Sequence, residues 1–548
     1  MSAITAPMRH LIIFCAVFIC CACQTAQTVP PLTESPALAD LARQRAEFLN
    51  REDVSEALER LRELEQQALQ LVPDEPLKLG SLGSAILDIY PGSHTGHYVL
   101  ARFYEHVEST DARQQHEQAL ENLQQAMQTS GDGTQRSPYT VMTMYDAHTF
   151  AKTRDASPVG AIYQSSAQAA LGYLLIARPD DGPLQQSFFD LSHLLELWQL
   201  GQAQSDIHAN PWAYIRSIAR SDGAAQTAIG AYLTSAEKDE DAIGWLKAAA
   251  RTDNVLANRM LARIYWSQAE ESTDEARKAE LQELSLENHL HAIALGSTDS
   301  MYTLASMYFN DVYGQDNRQA GIALLKQAAD LQHAESLIYL GHLHNIGKYV
   351  EQDTEQAGQY FARAAALNKP QAVLNYGRYL INANSNEAFV NHNEIHEWLE
   401  SLADEGNAEA MIILGNLHAR GIGTKASSSR AVRWYKQAVR EASNDPDVVN
   451  EVAWTLTVSD IDGLKRIRYA SRIMSRMMNA REQARSRPEF LDTWAAVFAA
   501  KGDFTQAIEL QKQAIANATK QDREDVLDIL QQHLELFKAG ASITEKAP

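Results

Sequence analysis

After Cys23 the chain has no cysteine in 525 residues. A disulfide framework, a thiolate metal site and a thiol nucleophile are therefore excluded from its body. No GxSxG, P-loop or GxGxxG sequence is present either, so the common acyl-transfer and nucleotide-binding signatures are missing. His392 and His396 stand four apart on an expected helix, but Asn393 holds the place where a zincin needs glutamate, and no metal ligands are assigned. His342 and His344, two apart, point to different faces of a helix. Acidic pairs abound without anything to assemble them, which reads as a solvated face. No catalytic residue and no cofactor is assigned, and an enzyme is not expected. Positive charge is scarce as well: 48 basic side chains stand against 70 acidic ones, a net charge of −22. That balance argues against generic nucleic-acid binding, which needs cations to displace phosphate counterions.

What is present begins with Arg9 and His10, followed by the apolar run Leu11–Cys21. The run is too short to span a bilayer and suits a signal-peptide core. It leads into Cys20-Cys21-Ala22-Cys23, which resembles the bacterial lipobox, with Ala22 in the last position before the cysteine. The resemblance implies a signal peptide over 1–22 and lipidation at Cys23. Gln24 is not the aspartate that retains lipoproteins in the inner membrane, so the resemblance implies the outer membrane, periplasmic face. The alternative is a soluble periplasmic protein cleaved nearby. Residues 23–40 are polar and Pro-bearing, as a flexible tether would be.

The body repeats. Ala334–Ala365 and Ala408–Val439 share one template of two short helices and a loop. Each has a Leu-Gly pair (Leu340-Gly341, Leu414-Gly415), a histidine three residues past the glycine (His344, His418), and an alanine sixteen past it (Ala357, Ala431). An aromatic follows three further on, Tyr360 or Trp434, and a last alanine at Ala364 or Ala438. Small residues at these points let antiparallel helices approach, and large ones fill the layer between them. His344 occupies a place held elsewhere by Tyr265 or Tyr308, so it reads as a packing residue. The small residues at 230, 262, 305, 341, 377 and 415 mark a period near 36. Such a period belongs to a stacked helix-pair solenoid.

These residues resemble Sel-one-like repeats, looser cousins of tetratricopeptide repeats. The spacing of 16 from Gly341 to Ala357 and from Gly415 to Ala431 carries that resemblance, whereas the 12 from Gly230 to Ala242 and from Ala495 to Ala507 is the tetratricopeptide spacing. The expected fold is all-α, an α-solenoid of stacked antiparallel helix pairs in a right-handed superhelix. The expected divisions are N-terminal helices over 41–90, a solenoid over 91–440 that is clearest over 225–440, tetratricopeptide-like repeats and a capping helix over 441–540, and a disordered tail over 541–548. Within them Leu171-Gly172 reads as the register restored, and 139–220 as irregular.

One stretch breaks the acidic pattern. Lys465–Arg487 holds eight basic side chains and one acid, Glu482. Lys465, Arg468, Arg472 and Arg476 step by three and four into one stripe, opposite an apolar face of Ile467, Ala470, Met474 and Met477. The stripe either is solvated and paired within the stack or contacts an anionic partner: lipid headgroups, an acidic polysaccharide or an acidic protein. The functional expectation is a non-enzymatic protein–protein interaction scaffold that assembles or positions envelope machinery. Alginate-export lipoproteins are built from similar repeats, which implies an exopolysaccharide-secretion accessory as one version. The alternative is a cell-wall or envelope-polymer enzyme with its site in 139–220.

Overall fold

The computed structural model describes residues 36–201, 210–314, 317–383 and 392–545. Residues 1–35, with the expected signal peptide and Cys23, lie outside them. Two compact units divide the chain: one runs up to Leu295 without Asp181–Pro183, the other takes those three residues and Gly296 onward.

The first unit opens with α1 (Pro36–Leu49), α2 (Val54–Leu71), α3 (Leu79–Ile89), α4 (His94–His106) and α5 (Thr110–Ser130). Strand β1 (Tyr139–Thr140) and helix α6 (Met144–Lys152) lead into β2 (Ala156–Gln164), β3 (Gly172–Pro179) and β4 (Gln185–Asp190). Helices α7 (Ser192–Gly201), α8 (Pro211–Ile218), α9 (Gly223–Ser235), α10 (Asp239–Ala250), α11 (Val255–Glu271) and α12 (Glu275–Ala294) complete it. The helical expectation holds for most of this unit, with α4–α5, α9–α10 and α11–α12 as close antiparallel pairs.

The sheet is the departure. Its strands lie in the order β1-β4-β3-β2, antiparallel except for β1 with β4. Leu171-Gly172 therefore does not restore a helix pair; Gly172 is the first residue of β3, paired with Gln164 and Asp190. The central strand β3 is covered over most of both faces, which hides the alternation that would betray a half-buried strand. Tyr163, Tyr173, Leu175 and Phe189 enter the main core of this unit with Phe150 and Leu61. Ile176 turns the other way, onto Val159, Val255 and Ala292.

Asn254 fastens helix to sheet. Its side-chain oxygen caps α11 by accepting from the N–H of Leu256 and of Ala257. Its amide donates to the Ala161 carbonyl at 2.8 Å and to Thr227 Oγ1 at 2.9 Å, in a buried setting. Asn254→Ala removes a cap worth about 1 kcal/mol and strands a buried carbonyl, so a loss of about 2–3 kcal/mol is expected in chemical denaturation of this unit.

The second unit is a run of helix pairs. It comprises α13 (Thr298–Phe309), α14 (Arg318–Asp330), α15 (Ala334–Ile346), α16 (Thr354–Ala366), α17 (Pro370–Ala383) and α18 (His392–Asp404). Then follow α19 (Ala408–Arg420), α20 (Ser428–Glu441), α21 (Pro446–Val458), α22 (Ile467–Ala480), α23 (Pro488–Ala500), α24 (Phe504–Lys520) and α25 (Glu524–Lys538). No strand longer than an isolated bridge occurs among its described residues.

The 36-residue template has a local cause at each point. Ser297, His333 and Asn407 precede α13, α15 and α19, and each side chain accepts the N–H three residues on. Gly347 and Gly421 end α15 and α19 at φ 69° and 76°, the left-handed region where a Cβ is unfavourable. The carbonyl of each template histidine then holds the loop: His344 O accepts from Asp353 N at 2.9 Å, and His418 O from Ser427 N at 2.7 Å. Asp353 and Ser427 in turn cap α16 and α20. The His344 ring lies 5.5 Å from that of Tyr360, in the packing place expected for it.

Close approach occurs where the small residues stand, but the ring that fills the gap is one position later than the template suggested. Phe361 lies over Gly341 and Tyr435 over Gly415, rather than Tyr360 and Trp434. At the far end Leu530, His533 and Phe537 of α25 are buried against the stack, with His533 Nδ1 2.9 Å from Asp492. Residues 541–545, expected as a disordered tail, instead return to α21. Ile543 is buried, Glu545 N donates to Val458 O, and Trp454 Nε1 donates to Glu545 Oε2.

Candidate functional site

Helices α20 and α22 are the two most one-sidedly amphipathic in the second unit, and between them lies a groove of about 680 Å³. Val439, Val449, Ile473 and Met477, all buried, form the floor of its apolar lining, with Pro446 and Ala480 more open to solvent. Its charged lining is wholly cationic: Lys436 and Arg440 from α20, Arg472 and Arg476 from α22, and Arg481 just beyond. The four-residue spacing on each helix turns these side chains to the same side.

Tyr469 organises two of the charges. Lys436 Nζ lies 5.3 Å and Arg472 Cζ 5.2 Å from its ring centroid, within cation–π range. Burial raises the Tyr469 hydroxyl pKa, against the pull of Arg472 and Arg440, so the phenol keeps its proton at neutral pH. Arg481 Nη2 donates to the Asn444 carbonyl, which aims the guanidinium across the groove. No carboxylate lines the groove, and none of the five cations forms an ion pair among the described residues.

The expected stripe is therefore divided. Arg472 and Arg476 line the groove. Arg468 is exposed outside it. Lys465 reaches the C-terminal segment, with Nζ 3.4 Å from Thr544 Oγ1. Lys436, Arg440 and Arg481 complete the site and were not singled out by sequence. A signal existed in Arg433, Lys436 and Arg440, which repeat at helical spacing on α20, but nothing in the letters places α20 beside α22.

Five like charges in one groove repel one another, and an oxyanion entering it relieves that repulsion while accepting forked hydrogen bonds from arginine. Among the described residues no group of three or more His, Cys, Asp or Glu is placed to hold a metal ion. Of the histidines weighed as ligands, His396 spends Nε2 on the Ile422 carbonyl at 3.1 Å and packs on the His418 ring. No described helix is long and apolar enough to cross a membrane.

The Sel1 repeat family model matches residues 298–333, 334–369 and 408–443. The chain carries Sel1 repeats. The last of them supplies α20, and with it Lys436 and Arg440. The helices α17 and α18 fall between the second and third matched repeats and keep the period. A curated relative, the chitin synthase regulator SKT5 of Saccharomyces cerevisiae, is 31% identical over 157 residues, 28% of this chain. The match spans 22% of the yeast protein. Among solved structures, a Sel1 repeat protein from Oxalobacter formigenes aligns over 59% of this chain and 89% of its own, at 15% identity and TM-score 0.39. A protective antigen of uropathogenic Escherichia coli with an SLR fold aligns over 92% and 95%, at 13% identity and TM-score 0.38. Sel1 repeats generally mediate protein–protein interaction, and their fold is typically a non-enzymatic scaffold.

Proposed function

We propose that this chain is a non-enzymatic interaction scaffold that grips an anionic segment of its partner in the α20–α22 groove. One observation carries the reading: five cations converge without a counter-charge in a chain of net −22. Arg487 and Arg523, by contrast, have carboxylates beside them.

The location belongs to the same proposal. The lipobox-like Cys20–Cys23 and Gln24 support lipidation at Cys23 and a place at the periplasmic face of the outer membrane. An anchored scaffold would position envelope machinery there, and exopolysaccharide secretion is one process that supplies an acidic polymer. Fractionation of wild type and Cys23→Ala tests the anchor: the variant should move from the membrane to the soluble fraction.

The groove is tested with the combined variant Lys436→Gln, Arg440→Gln, Arg472→Gln, Arg476→Gln. Half-exposed charge contacts contribute up to about 1 kcal/mol each, so affinity for poly-glutamate or alginate should fall about tenfold or more. Wild-type affinity should also fall steeply as salt is raised, and the variant's should not. Equal binding by both proteins would end this reading. A preference for alginate over poly-glutamate would point to the polymer, and the reverse to an acidic protein.

Deleting 139–220 is not a fair test of an enzyme alternative. Tyr163, Tyr173 and Phe189 are core residues of the first unit, so the deletion would unfold it.

A further inference from the structure

The first unit has a second, partly open site, unrelated to the basic groove. A cavity of about 570 Å³ is bounded by α2, the β2–β3 face, α6 and the start of α9. That size accommodates a small organic molecule.

Arg62 projects from α2 into this cavity, and its Nε is buried without a hydrogen-bond partner among the described residues. Such an orphan is costly, because a buried donor loses its water and gains nothing in return. The obvious counter-ion does not serve it. Asp222 Oδ1 caps α9 by accepting from Ala225 N at 2.9 Å, and Oδ2 accepts from Tyr163 Oη at 3.3 Å. Burial opposes the Arg62 charge, yet Tyr214, Tyr163, Asp222 and Tyr145 around it keep its pKa above the ordinary value, so the guanidinium is a permanent cation.

Asp222 and the exposed Arg220 also line the cavity, and the remaining wall short of its rim is uncharged. Burial lifts Tyr145 to about 12, so it keeps its hydroxyl proton. Burial lowers His148 to about 4, leaving an uncharged imidazole whose Nε2 lies 2.8 Å from Tyr173 Oη. Met144, Leu175 and Ile218 add apolar surface. The exposed carboxylates of Glu59 and Glu63 stand at the edge and disfavour a doubly charged anion.

We propose that this cavity binds a small organic monocarboxylate, its carboxylate on the Arg62 guanidinium and its apolar body against Met144, Leu175 and Ile218. The planar fork of arginine matches a carboxylate, and the buried Arg62 Nε is a donor still open to one.

The test is calorimetric titration of the full chain with benzoate, phenylacetate, hexanoate and inorganic phosphate, together with a co-crystal of the tightest acid. At least one carboxylate should bind, and Arg62→Gln should weaken it about tenfold or more while the melting temperature holds. Arg62→Lys should not restore the affinity, since a point charge lacks the fork. The wild-type co-crystal needs no variant: the acid seated on Arg62 supports the proposal, and the acid bound elsewhere overturns it. It is overturned equally if none of the three carboxylates binds below about 10 mM, if phosphate binds more tightly than all of them, or if a folded Arg62→Gln binds as wild type does.

Discussion

Gly415→Val is expected to unfold the repeats of the second unit at physiological temperature. A Cβ at Gly415 would stand 2.4 Å from Tyr435 Cε1 and 2.7 Å from Cδ1, well inside contact distance. The ring cannot step aside. Tyr435 is 1% exposed, and its hydroxyl lies 2.6 Å from Asn416 Oδ1. Glycine is a poor helix former, so adding any side chain gains about 1 kcal/mol of propensity. Overpacking a rigid core opposes this by about 1–3 kcal/mol for small additions, and more for a branched one. For valine the clash wins. The control is Gly244→Ala on α10, where a Cβ meets nothing and the residue is exposed. There propensity acts alone, and a gain of about 0.5–1 kcal/mol is expected. Thermal melts followed by circular dichroism should separate the two variants in sign. Equal effects would mean that close helix approach does not hold the repeat together.

Asp146→Ala should be as damaging to the first unit, by about 3–5 kcal/mol. Asp146 is 1% exposed, and its oxygens accept from the backbone N–H of His94 at 3.0 Å, of Thr95 at 3.4 Å and of Met142 at 3.3 Å. Removing it orphans donors at the start of α4 and before α6. Nearby Glu65, fully buried, accepts from Ser93 Oγ at 2.7 Å and Thr143 Oγ1 at 2.6 Å, tying α2 to the same two places.

Burial, and then the Asp146 charge, push the Glu65 pKa well above its ordinary 4.5, while Ser93, Thr143 and Arg62 pull it back. Burial raises Asp146 too, opposed by His94 and the backbone donors. The sign follows. A carboxyl group raised on folding binds more protons in the native state, so its contribution is present below pH 4.5 and is lost as pH rises through the folded value. Glu65→Gln cannot ionise and should flatten the fall in stability above pH 4.5, while Asp146→Ala lowers stability at every pH. Parallel pH profiles for wild type and Glu65→Gln would show that Glu65 is not the proton carrier.

The letters exposed the repeats because a close helix contact needs a small residue at a set place. Gly341 and Gly415 thus mark the chain whatever surrounds them. The template histidines are legible for the same reason, whereas the capping by Asp353 and Ser427 emerged only in the structure. The sheet was not legible. β3, Gly172–Pro179, is buried on both faces, and its Leu174-Leu175-Ile176 looks like any short apolar run.

Local side-chain spacing therefore dictated the helix pairs, their loops and their 36-residue beat, since those forces span a few residues. The sites arose otherwise. Arg472 and Lys436 share the Tyr469 ring across 36 positions of sequence, and Arg62 and Asp222 line one cavity across 160. Charge and hydrogen bonding act through space, so packing alone determined which cations stayed unpaired and which cavity they faced.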